Sequence, residues 1–174
     1  MVHTQQLVES VADAAHEAWK VVHYKARPGQ PRPKPVDNEA WSAAHGGALE
    51  CDIAALSNAE LPPRWSAENY AGARLAVDLV LAAVECGERL DDAFMEKAAS
   101  KVHDGWVERN RASYTEGVEN PETIEQLWPY DKLSPALQEM DRVFVRNAIK
   151  ALERFATDER QQLAEAAYKS RTSK

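Results

Sequence analysis

Much of what would mark a specific chemistry is missing from this chain. Only two of its 174 residues are cysteine, Cys51 and Cys86. They form neither a CxxC nor a zinc-ligand spacing, which argues against a structural zinc site and a disulfide-rich scaffold. Both read as reduced core thiols. No apolar run approaches the length needed to cross a bilayer, so no membrane partner is expected. The opening stretch, MVHTQQLVESVADAAHE, lacks a basic start and an unbroken apolar core. It does not read as a signal peptide, and the expected location is the cytoplasm. Basic charge is scarce, with 21 Lys and Arg against 28 Asp and Glu and a net charge of −7. Binding along a phosphate backbone needs a basic surface, so neither DNA nor RNA is expected as a partner. There is no P-loop, no GxGxxG and no HExxH. Ser42, Ser57 and Ser113 lack the strained turn or electropositive niche of a nucleophile. No catalytic residue is assigned and no cofactor is expected. Strand-like runs are missing too, which leaves an all-α fold class with room for one or two very short strands.

What is present is helical period. Leu7, Val11, Ala14, Ala18 and Val22 form one stripe over Thr4 to Tyr24. The segment Arg27 to Pro35, RPGQPRPKP, holds four prolines and one glycine and reads as an extended surface connection. Asp37 is placed to cap a short helix through Trp41 that Gly46-Gly47 ends. Leu49 to Leu56 is patterned weakly enough for another short helix. Leu61-Pro62-Pro63 opens a long helix stopped by Gly87, with Trp65, Ala73, Ala76, Val77, Val80 and Val84 along its apolar side. Asp91 starts the helix that carries His103. Asn120-Pro121 opens a short helix to Trp128. Ser134-Pro135 opens the last long helix, with a bend or restart near Thr157-Asp158.

Two stretches echo each other. Ala15-His16-Glu17-Ala18-Trp19 and Val102-His103-Asp104-Gly105-Trp106 share apolar, His, acidic, small, Trp. Downstream, the Leu61-Pro62-Pro63 elbow parallels Leu133-Ser134-Pro135. The plan of helix, loop, short helix, elbow and long helix therefore occurs twice. It predicts two helical-hairpin repeats related by an approximate two-fold axis. Residues 1–88 hold the first repeat with its Pro-rich loop 27–35. Residues 89–157 hold the second and clearer one, and 158–174 form a helical extension and a frayed tail.

The second copy runs from His103-Asp104-Gly105-Trp106 through Arg109 and the Tyr114-Thr115-Glu116-Gly117 turn. It continues over Leu127, Pro129-Tyr130-Asp131 and Leu133-Ser134-Pro135 to Asp141-Arg142. This pattern resembles the ryanodine-receptor repeat, the RyR domain, as found in small bacterial and phage proteins. The chain departs from the family where Tyr114 replaces a tryptophan and where Glu125-Gln126 replaces His-Pro. The resemblance implies paired repeats whose cleft accepts a nucleotide or nucleotide-derived signal, without catalysis, in phage–host conflict. Two other readings stay open: a structural or protein-interaction domain, and a small nucleotide hydrolase using His16 or His103. The sequence does not speak to a homo-oligomer.

Candidate ligand contacts follow from residue types. His16 and His103 either face the ligand or, more simply, bond a carbonyl or carboxylate and fix their helix to the elbow. Asp13-x-x-His16 looks like half of a carboxylate-helix metal site, but Ser100 stands at the matching position, so no metal is expected. Most of the five tryptophans should be core. Trp41 and Tyr114, each among polar neighbours, are the expected platforms for a stacked base. Arg109 and Arg111 are the expected phosphate contacts.

Overall fold

The computed structural model describes the backbone of residues 4–115 and 125–172, and the side chains of 4–25, 27–112 and 125–157. Helix α1 (Thr4–Ala26) buries Leu7, Val8, Val11, Ala12 and Ala15. These positions recur at helical spacing, so one continuous face enters the core. After the turn at Gly29, strand β1 (Pro33–Pro35) pairs antiparallel with β2 (Glu50–Asp52), aligning Lys34 with Cys51. Prolines survive in such a ribbon because it has open edges that need no donor. The short helix expected over Leu49 to Leu56 is therefore replaced by a strand and a turn. The Asp52 carboxylate decides this locally by accepting from the Arg32 and Ala54 amides at 2.8 and 3.0 Å.

Between the strands lies α2 (Glu39–Ala44), and its cap is Asn38 rather than Asp37. Asn38 Oδ1 accepts from the Trp41 amide at 2.8 Å, while Asp37 faces Arg64 at 3.6 Å. Helix α3 (Pro63–Glu85) starts where expected, with proline at the first position, where a missing N–H costs nothing. It stops at Gly87, whose φ of +69° suits glycine. The Gly87 and Glu88 amides then close onto the Val84 and Ala83 carbonyls. Ala83 is buried and Val84 half exposed, so the stripe ends one residue earlier than its spacing suggests. Cys51 is a buried thiol, but Cys86 is exposed at the helix end, and neither forms a disulfide.

Helix α4 (Asp92–Thr115) is capped by Asp91, which accepts from the Phe94 amide. Helix α5 (Pro135–Thr172) runs through the expected break at Thr157, whose hydroxyl donates back to the Glu153 carbonyl. Asn120 and Pro121 lie outside the described residues. Helix α1 packs on α3 and α5, and α4 packs on both of these as well. The expected all-α class thus holds, with five α-helices and one two-stranded ribbon among the described residues. Helices α3 and α5 come close at Gly72, where an added Cβ would sit 2.9 Å from the Phe144 ring. No helix among the described residues is long and apolar enough to cross a membrane.

Candidate functional site

Two buried histidines organise the site. His16 on α1 and His103 on α4 are each only 3% exposed. His16 Nε2 donates to the Leu56 carbonyl at 3.1 Å, and Asn69 Nδ2 lies 3.3 Å from His16 Nδ1. His103 Nε2 donates to the Trp128 carbonyl at 2.8 Å, and His103 Nδ1 lies 3.1 Å from Asp141 Oδ2. Leu56 stands as far before Leu61 as Trp128 does before Leu133. Asn69 stands as far after Leu61 as Asp141 does after Leu133. The 3₁₀ turns Asn58–Glu60 and Tyr130–Lys132, and the starts of α3 and α5, keep the same spacing. Each histidine thus ties its own helix to the chain before an elbow and to the helix after it.

Proton counting separates the two. A carbonyl at Nε2 fixes that nitrogen as N–H, so a neutral ring offers Nδ1 as an acceptor. Asn69 supplies a donor, and the His16 bond is satisfied without charge. Burial is the main reason the His16 pKa is lowered, with Lys20 adding to it against the Leu56 carbonyl. Asp141 cannot donate unless protonated, so the His103–Asp141 bond requires one further proton. Burial works against a charged His103, but the Asp141 bond, the Trp128 carbonyl and the nearby carboxylates outweigh it and raise its pKa. Burial also raises the Asp141 carboxyl, against the pull of His103. The two groups titrate as a unit.

Both histidines open onto one cleft of about 220 Å³. Trp19, Trp65 and Trp106 form aromatic walls, and the elbow leucines Leu61 and Leu133 also face it. Trp19 stacks between His16 and His23, with centroids 5.7 and 5.3 Å away and both planes within 17°. Trp106 lies beside His103 at 6.4 Å. It is half-buried and lines the cleft. Trp65 donates from Nε1 to the Pro35 carbonyl and carries the Lys34 ammonium 4.7 Å over its ring. Glu68 enters from α3 and accepts from Arg109 and Asn110 at 3.2 and 3.1 Å. Arg32 and Lys34 bring cations from the β1 side.

Among the residues expected to hold a ligand, His16 and His103 line the cleft. Arg109 reaches its edge by binding Glu68 but does not line it, and the exposed Arg111 does not line it either. Trp41 is outside the cleft because its surroundings already occupy it. Its Nε1 donates to the Glu60 carbonyl at 2.9 Å, and one face stacks on His45 at 3.7 Å. The side chain of Tyr114 lies outside the described residues. No group of His, Cys, Asp and Glu that could hold a metal occurs among the described residues. Sequence reasoning missed Arg32, Glu68 and Asn69 as cleft residues. It met Asp141 only as part of a motif. Extending the elbow alignment along the two long helices pairs Asn69 with Asp141 and would have found both. No family model matches the chain, and no curated protein or solved structure matches it.

Proposed function

We propose that this protein is a non-enzymatic binding module that takes a nucleotide or nucleotide-derived signal into the cleft between two duplicated, RyR-like halves. The observation that carries this reading is that both His-x-x-Trp motifs, on different helices, line one cavity. The matched bonds of His16 and His103 support the duplication, since a repeated hairpin repeats its own scaffolding. Three indole walls suit a flat ring, and stacking contributes roughly 1–3 kcal/mol per base. The volume lies a little below the range of about 300–1,000 Å³ usual for small-molecule sites, which favours a small occupant. The aromatic platforms of this reading are Trp19, Trp65 and Trp106, while Trp41 is held away from the cleft by Glu60 and His45.

Hydrolysis is less well supported. A general acid or base needs a ring nitrogen within reach of the substrate. Both nitrogens of each cleft histidine are already bonded within the protein. The test is a thermal-shift screen of nucleotides and cyclic nucleotides, followed by product analysis of the mixtures that respond. A true ligand at a hundred times its Kd stabilises by about 2.7 kcal/mol and is recovered intact. Turnover favours the hydrolase, and no response to any nucleotide favours an interaction domain.

A further inference from the structure

We infer that Arg32 is the anion seat of the cleft, so that the ligand carries a phosphate or carboxylate received by its guanidinium. This rests on the cleft being a ligand site and adds which charge that ligand must bear. The base of Arg32 is held firmly. Its amide donates to Asp52 Oδ1 at 2.8 Å, its carbonyl accepts from the Ile53 amide at 3.1 Å, and Pro33 follows it into the ribbon. Its side chain is half-buried and lines the cleft. Among the described residues that guanidinium makes no hydrogen bond or ion pair.

The other charges in the wall are answered. Glu68 accepts from Arg109 and Asn110, Asp141 is bonded to His103, and the Lys34 ammonium lies over Trp65. A cation on a rigid mount with an idle head is the arrangement that receives an anion with little reorganisation. The guanidinium fork matches two oxygens of a phosphate or carboxylate. The chain's net charge of −7 repels anions from most of its surface, so the local cation decides whether one enters.

The test is calorimetry on the full chain with two probe pairs, AMP against adenosine and indole-3-acetate against indole-3-acetamide. The anion of at least one pair should bind at least about tenfold more tightly than its neutral partner. Arg32→Met should lower that anion's affinity about ten- to a hundredfold and leave the neutral partner unchanged. Arg32→Lys should keep part of the preference, and the melting temperature should not move, because among the described residues the side chain bonds nothing. Equal binding within both pairs, or a preference that survives Arg32→Met, overturns the assignment. If only the indole pair behaves this way, the nucleotide reading fails and the anion seat stands. If none of the four binds at millimolar concentration, both fail.

Discussion

In the N-terminal half a buried histidine meets an amide, and in the C-terminal half its counterpart meets a carboxylate. His16 and Asn69, like His103 and Asp141, sit at matching places relative to their elbows, and both rings donate to a backbone carbonyl. One changed group therefore separates two otherwise similar joints. The amide joint is complete without charge. The carboxylate joint works only while it holds an extra proton. Two joints of matching layout can in this way differ, one structural and the other sensitive to protons, beside the same cleft.

The largest effect should come from removing the carboxylate. Asp141→Ala leaves a buried imidazole facing an empty site, and breaking a buried charged pair from one side costs about 3–5 kcal/mol. Asn69→Ala removes a neutral donor, and leaving a buried acceptor unsatisfied costs about 1–3 kcal/mol. Urea unfolding of the two variants at neutral pH gives the order directly. A larger loss for Asn69→Ala means that the two joints are not built as described.

The next effect is a difference in pH dependence. His103 is held above the usual imidazole value. Its contribution is therefore complete below about pH 6.5 and fades as the pH rises through its higher folded value. The raised Asp141 carboxyl acts in the same direction. His16 is held below the usual value. Its contribution is complete above about pH 6.5 and fades as the pH falls through its lower folded value. Asp141→Asn makes the second joint like the first, with a side-chain donor for Nδ1. It should flatten the alkaline loss of stability and leave the acid loss in place. Parallel alkaline profiles for the native chain and Asp141→Asn would contradict the assignment.

The long helices were legible because their boundaries rest on backbone chemistry. Pro63 and Pro135 sit where no N–H is needed, and Gly87 adopts the left-handed turn its helix end demands. The ribbon was not legible. Its strands are three residues each, too short for alternation, and two of the β1 residues are proline. Asn38 and Asp37 are both good caps, and only the path of the chain chooses between them. For the site, the His-x-x-Trp echo pointed to the right helices, but the tryptophans were assigned to the core. Burial of a ring and exposure to a cleft follow the same spacing along a helix, so period alone cannot separate them. Glu68, Asn69 and Asp141 gave no sign of the cleft for a related reason: a polar residue on a helix does not reveal that another helix covers it. Arg32 was hidden in a proline run, where its fixed base depends on Asp52 across the ribbon.

One cleft, walled by Trp19, Trp65 and Trp106, is the proposed ligand site. The five tryptophans give indole N–H signals that can be followed separately by ¹H–¹⁵N NMR once assigned by substitution. During a titration with AMP, the signals of Trp19, Trp65 and Trp106 should shift together and with one apparent Kd, while that of Trp41 stays in place. Movement of Trp41 with the three cleft signals unchanged would contradict the account.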